Sequence, residues 1–158
     1  MQSNHFGTPA TSLTASIATI PSLGFWFRGM IVGLWHQGRL YRFATYLGTR
    51  LERLAVDEHA VTWVMRDRAH RLELCATRAG GGLLRGPSTQ AMGVRVPETL
   101  SATIEVRLSR LRRGQDEVIL EDTGRYAGLE VVGDLDRLVK NGALLAPGPR
   151  VAGSNEMI

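Results

Sequence analysis

The chain has 158 residues, enough for one domain with a substantial core, and its 44% hydrophobic and 22% charged residues are an ordinary globular balance. The net charge is +4, and Arg residues are interleaved with Asp and Glu, as in residues 50–53 and 66–68. This pattern indicates a mixed-charge surface and argues against nucleic-acid binding. One cysteine, Cys75, excludes an internal disulfide and a multi-cysteine zinc site.

The N-terminus lacks the features of a secretory signal, and the apolar runs are too short to span a membrane. We therefore expect a cytoplasmic protein whose membrane contact, where it has one, is peripheral. Residues 1–20 are rich in Ser, Thr and Ala without clear periodicity, which predicts a flexible N-terminal arm. Residues 21–140 are predicted to form the folded domain, and residues 141–158 a disordered tail.

Short alternating segments follow one another through the folded domain. Gln37 and Gly38 can form a tight turn between two of them, and a loop is expected from Gly80 to Pro97. The predicted strands are residues 30–36, 39–46, 50–56, 61–66, 70–77, 101–109, 117–123 and 126–132, and short helices are predicted near residues 89–92 and 135–139. About eight such strands joined by short turns predict an all-β, antiparallel barrel that can enclose one small ligand.

Several of these segments, in their order, carry a family resemblance. They are Gly33-Leu34-Trp35-His36-Gln37-Gly38 with Tyr41-Arg42-Phe43, Val61-Thr62-Trp63, Leu72-Glu73-Leu74-Cys75-Ala76-Thr77, Leu84-Arg85-Gly86-Pro87-Ser88, Val118-Ile119-Leu120-Glu121 and Ala127-Gly128-Leu129-Glu130-Val131-Val132-Gly133. The ordered set, over residues 22–135, resembles the C-terminal part of the tocopherol cyclases of vitamin E biosynthesis.

That resemblance implies a lipocalin-like (calycin) barrel, one module of a two-barrel family. The family's enzymes are considerably longer, so we expect either a short gene or an incomplete chain. The implied substrate is a prenylated benzoquinol, whose phenolic hydroxyl adds across the first prenyl double bond to form a chromanol ring. The resemblance implies no cofactor and no metal.

Ring closure needs a strong acid in a dry pocket and a base for the phenol proton. Glu73 and Glu130 are the candidate acids, because each lies mid-strand among apolar residues and matches a family segment. We expect Glu130 to point into the barrel, where burial would keep it protonated. The alternative for both is a surface glutamate or one paired with an Arg. His36 is the candidate base, or else a solvent-facing turn histidine.

Aromatic side chains are the candidates for lining the interior: Tyr41, Phe43, Trp63 and Tyr126. Ordinary core packing is their alternative role. Arg85 is a candidate anchor for the quinol head group, or else a loop cap.

Two further functions compete with the enzyme. One is a non-catalytic lipocalin-like barrel that binds a prenyl quinol or another lipophile, and the other is an interaction module without a ligand. If a second barrel normally covers an apolar face of this one, the chain alone is expected to self-associate.

Overall fold

The computed structural model describes residues 1–22, 25–87 and 92–140, with the backbone alone for residues 22, 84–87, 92–97 and 140. Its strands are β1 (Gln2–Ser3), β2 (Thr11–Ser22), β3 (Phe25–His36), β4 (Arg39–Ala44), β5 (Arg50–Val56), β6 (Ala60–Arg66), β7 (His70–Thr77), β8 (Gly82–Pro87), β9 (Met92–Arg110) and β10 (Glu117–Glu130). A 3-10 turn (Thr45–Leu47) and one helix, α1 (Leu135–Lys140), complete the described elements. The all-β class is confirmed.

All ten strands belong to one antiparallel sheet with the order β4-β3-β2-β1-β10-β9-β7-β6-β5, and β8 pairs with β9 beside this path. The sheet curls so that its concave side encloses a core. Its two ends, β4 and β5, are not paired with each other within the described residues, so the predicted barrel is confirmed in an open form. Gln37 and Gly38 form the predicted turn between β3 and β4, both with positive φ, as a two-residue hairpin requires.

One hydrophobic core lies on the concave side. Alternation sends every second side chain inward in β7 and in residues 102–108 of β9, while β6 also buries Val64, and Phe43 of β4 joins this core with no exposed surface. The members that are almost completely buried include Leu13, Val32, Leu34, Phe43, Met65, Leu72, Leu74, Ile104, Val106 and Leu108. This cluster draws on strands from both ends of the sheet order, which is why the sheet must curl.

The prediction of a flexible arm over residues 1–20 is wrong. β2 pairs with β3 along its whole length, and β1 joins β2 to β10. The inward side chains of β2 include Leu13 and Ala15, both buried, whereas the outward ones are mostly Ser and Thr. Small polar side chains on the outer face obscured the alternation that marks a strand.

Two other strand predictions need correction. The loop expected from Gly80 to Pro97 contains β8 and the first part of β9, which pair with each other, while residues 88–91 lie outside the described residues. The two segments 117–123 and 126–132 are instead the single strand β10, interrupted by a bulge between Gly124 and Ala127. The predicted tail, residues 141–158, also lies outside the described residues.

A short helix ends the described fold. α1 has six residues and begins after Asp134, whose carboxylate accepts a hydrogen bond from the Arg137 backbone N–H at 2.9 Å. No helix in the described ranges has the length and apolarity needed to cross a membrane.

The segment between β1 and β2 is held to β10 by a backbone bridge from His5 to Arg125 and by one carboxylate. Asp122 accepts hydrogen bonds from the backbone N–H groups of Gly7 and Thr8, at 3.2 and 2.6 Å. Burial acts to raise the pKa of Asp122, but these hydrogen bonds and one from Thr123 outweigh it and hold the pKa below its ordinary value.

This depressed pKa predicts acid-sensitive attachment of the segment. Its stabilising contribution should be complete above the unfolded-state pKa of about 3.9 and be lost as the pH falls through the lower folded-state pKa. In Asp122→Asn, we expect the amide protons of Gly7 and Thr8 to lose protection against hydrogen exchange at neutral pH, measured by NMR. Glu58→Gln, in the exposed β5–β6 turn, is the control; equal protection in both variants would contradict the contact.

Candidate functional site

A pocket of about 550 Å³ opens at one end of the curled sheet, and we call it the mouth pocket. Five strands supply its walls and α1 covers one side. Its lining residues are Met1, Ala15, Ser16, Ile17, Ala18, Thr19, Trp26, Leu54, Val56, Val61, Trp63, Leu129, Glu130, Val131, Val132, Gly133, Asp134, Leu135, Arg137 and Leu138. The volume lies within the range of about 300–1,000 Å³ that is typical of small-molecule sites, and most of the lining is apolar.

Trp63 gives the mouth pocket its one unsatisfied buried polar atom. The side chain is 3% exposed, and its neighbours across the sheet are Leu54 of β5 and Leu74 of β7. Its indole Nε1 is buried and has no hydrogen-bond partner in the part of the chain that the structure describes. A buried donor of this kind is rare because leaving it unpaired costs about 1–3 kcal/mol. Trp63 thus lines the pocket and carries a buried donor that lacks a partner among the described residues.

Two contacts hold α1 over the mouth pocket. The Arg28 guanidinium donates to the carbonyl oxygen of Leu138 at 3.0 Å, and Arg137 lies over the Trp26 ring at 5.2 Å from its centre. Burial lowers the pKa of Arg28, although an arginine keeps its charge at neutral pH. Both contacts link the helix to the first residues of β3. The start of β3 therefore positions α1 over the pocket.

Glu130 lies at the rim of the mouth pocket, but its side chain is exposed. Its neighbour Leu129 points inward and is 4% exposed. The expectation that Glu130 points into the barrel is wrong because of the bulge in β10. Before the bulge, the even-numbered Leu120 is buried. Beyond the bulge, the odd-numbered Ala127 and Leu129 are buried instead, so the even-numbered Glu130 faces outward.

Tyr126 lies within that bulge. It has a φ of 48°, is 71% exposed and packs edge-on against His5 with ring centres 5.5 Å apart. The expectation that it lines the interior is wrong, because the bulge turns it to the outer face.

The other aromatic candidates and His36 lie away from the mouth. His36 is ten residues beyond Trp26 in β3, about 33 Å along the strand. It is buried rather than solvent-facing, and its Nδ1 lies 3.0 Å from the Thr11 hydroxyl. Tyr41 is buried against His70 near the same end, and Phe43 belongs to the core. The structure therefore brings together Trp63 and Glu130 and separates both from His36.

Glu73 lies on the outer face of the sheet. It is half-buried and forms an ion pair with Arg71, which also pairs with Glu52 at 2.9 Å. It lines an outer groove of about 920 Å³ that also contains Arg107, Glu121 and Asp122. This groove is larger than the mouth pocket, but its charged walls do not suit an apolar ligand. Hydrogen bonds and ion pairs with Glu52 and Glu73 raise the pKa of Arg71, as expected for a structural network.

The side chain of Arg85 is outside the described residues; its backbone in β8 pairs with that of Arg95. Within the described ranges, no three His, Cys, Asp or Glu side chains are grouped closely enough to hold a metal ion.

The sequence predicted a short helix at residues 135–139, which is α1, but not that this helix and the start of β3 contribute to the pocket. Trp26 and Arg28 precede the apolar run that marked β3. The dense aromatic stretch Phe25-Trp26-Phe27 was the one local feature that could have indicated them.

The model of the family described as tocopherol cyclase-like matches residues 1–133. This match covers most of the chain, including the two N-terminal strands. No curated protein and no solved structure matches the chain.

The contact between Arg28 and Leu138 predicts how the helix is held. In Arg28→Met, which keeps much of the side-chain length but removes the donor, α1 should loosen from the mouth. We expect faster amide hydrogen exchange over residues 134–139, measured by mass spectrometry, with little change in β7. Arg113→Met, in the exposed turn after β9, is the matched control. Unchanged exchange over the helix in Arg28→Met would show that the hydrogen bond does not hold it.

Proposed function

This chain belongs to the tocopherol cyclase-like family, and we propose that its mouth pocket binds a prenylated quinol and closes the chromanol ring. The isoprenoid tail would lie among the apolar side chains of β2, β5 and β6, and an oxygen of the head group would accept a hydrogen bond from Trp63. The apolar lining supports the first part of this proposal.

The observation that carries the proposal is the unpaired, buried indole N–H of Trp63, a residue that lines a mostly apolar pocket. A pure hydrocarbon would fill the pocket and leave this donor unsatisfied. A lipophile with an oxygen at one end would satisfy it while burying its tail. Hydrogen bonds of this kind contribute a net of about 0.5–1.5 kcal/mol, and a site built around one rejects ligands that lack the acceptor.

Ring closure is an isomerisation: the chromanol has the same atoms as the quinol, and no oxidant or reductant is needed. A proton adds to the less substituted alkene carbon, the phenol oxygen bonds to the more substituted one, and the phenol proton is released. The positive charge that develops on the tertiary carbon is stabilised by aromatic π faces, which Trp63 and Trp26 can provide. Glu130 is the carboxyl group we propose as proton donor, because it lies on the rim of the same pocket.

A second function, binding without turnover, is favoured by one observation. The Glu130 side chain is exposed, and a carboxyl group in water is a weak acid for an alkene. If the ligand does not bury this group when it binds, the pocket stores or carries the quinol instead of cyclising it. Binding and turnover assays on the same protein separate the two functions.

Trp63→Phe tests the binding proposal. Phe retains an aromatic ring but removes the donor, so affinity for a prenylated benzoquinol should fall about tenfold, the equivalent of about 1.4 kcal/mol. The matched ligand is a prenylated benzene without oxygen, whose affinity should change much less. Equilibrium dialysis with both ligands measures the difference. An equal loss for the two ligands would mean that the variant only disturbs packing.

Glu130→Gln tests the catalytic proposal. Gln is nearly isosteric but is not an acid, so ring closure should fall by about 100-fold or more while quinol binding is retained. Chromatographic separation of the chromanol from its isomeric quinol measures turnover. Glu121→Gln, on the outer face of β10, is the control. Turnover by Glu130→Gln at the unmodified rate would exclude Glu130 as the acid, and binding without turnover by the unmodified protein would leave the second function.

A further inference from the structure

The N-terminal third of the chain carries no negative side chain. Residues 1–51 contain four Arg residues and neither Asp nor Glu, and all fifteen acidic residues lie from Glu52 onward. In the fold, this third forms β1 to β4 and the 3-10 turn, which together make one flank of the sheet. The positive net charge of the chain is therefore concentrated on one side of the molecule.

The same flank exposes apolar side chains on its outer face. Alternation in β3 sends its odd-numbered residues outward, and the adjacent strands and the 3-10 turn add others. These side chains, which we call the apolar outer face, are between 37% and 76% exposed: Ile20, Phe27, Ile31, Trp35, Leu40, Tyr46 and Leu47. Gly29 and Gly33 occupy the intervening outward positions of β3 and keep this surface low. Contiguous exposed apolar patches mark interaction sites.

One cationic side chain lies on this surface. Arg42 is exposed on the outward side of β4, opposite Gly33 of β3. Arg39 is also exposed at this edge, but its guanidinium lies 4.7 Å from the centre of the inward-facing Tyr41 ring, and Arg50 belongs to β5. The carboxylate of Asp67 shares a groove with Arg39 and Arg42. That carboxylate accepts hydrogen bonds from the backbones of Ala69 and His70, at 2.6 and 2.7 Å, so it serves its own turn.

The apolar outer face continues to the mouth pocket. Ile20 and Phe27 are opposite each other in the β2–β3 pair, and their chain neighbours Thr19 and Trp26 line the pocket. Whatever the outer face contacts is therefore next to the opening through which a ligand enters.

We propose that the apolar outer face docks on the surface of an anionic lipid bilayer. Apolar and aromatic side chains enter the boundary of the acyl chains, and Arg42 contacts the negative head groups beside a flank that contains no Asp or Glu. A second copy of this chain fits less well, because a two-fold interface would bring this flank against itself, with its arginine and without a carboxylate to neutralise it. The proposal stands on this surface alone, whatever the mouth pocket binds.

Flotation with vesicles tests the docking. Vesicles of phosphatidylcholine and phosphatidylglycerol in equal parts should bind the chain, phosphatidylcholine alone should bind it much less, and added salt should weaken the binding. A neutral bromine-labelled lipid in the same vesicles should quench Trp35, and this quenching should be lost in Trp35→Phe. Quenching in the unmodified chain reports whether Trp35 contacts the lipid. Flotation of Trp35→Phe shows whether that variant still binds the vesicles.

Two variants separate the charge from the apolar contacts. Arg42→Gln should weaken binding about fivefold, and Ile31→Gln about tenfold. The matched controls are Arg113→Gln and Val118→Gln, both exposed outside this flank, and each should bind as the unmodified chain does. Circular dichroism confirms that every variant keeps its strand content.

Three outcomes would overturn the proposal. The first is no binding of the unmodified chain to the anionic vesicles. The second is equal weakening in the control variants. The third is a dimer, detected by sedimentation, that dissociates in Ile31→Gln while vesicle binding persists, because that result assigns the surface to a second copy.

Discussion

The whole arrangement depends on a single hydrophobic core that fills the concave side of one curled sheet. Side chains such as Phe43, Leu72 and Ile104 occupy the interior completely, so this is a packed core and not an empty lumen. Among the described residues, the mouth pocket lies beyond the core, where β2, β5 and β6 line it and α1 covers one side. The position of the mouth pocket is therefore a consequence of core packing.

Much of the fold could be predicted from alternation, which is strongest where one face is apolar. β7 and the second half of β9 follow it closely, and the predicted segments 61–66 and 70–77 match β6 and β7 to within one residue. β2 was missed because, apart from Ile20, its outer face consists of Ser, Thr and Ala. The bulge in β10 could not be predicted locally, since an extra residue reverses which side is buried without any change in composition. Tyr126 is exposed within this bulge, and beyond it Leu129 rather than Glu130 is buried.

The candidate site was less predictable because it is assembled from distant segments. Trp63 was identified from its own strand, but Trp26, Arg28 and α1 reach the pocket only through the curl of the sheet. The predicted mixed-charge surface describes only part of the molecule. Arg residues alternate with Asp and Glu from residue 50 onward, and the ion pairs around Arg71 reflect this, but the preceding flank is purely cationic. The net charge of the whole chain does not show that the acidic residues are absent from its first third. In the fold, this separation gives the two parts of the sheet different surface charges.

The pairing of β1 with β10 has a consequence for how the chain reaches this structure. Gln2 lies opposite Gly128, and in the described sheet β1 is the only strand that links β2, β3 and β4 to the others. Contacts between residues so far apart in sequence raise the contact order and slow folding, because a long loop must close first. During synthesis, the N-terminal hairpins must wait with their apolar inner faces uncovered until residues beyond 117 leave the ribosome. The chain should accordingly need a chaperone late in translation, when its last strand completes the sheet.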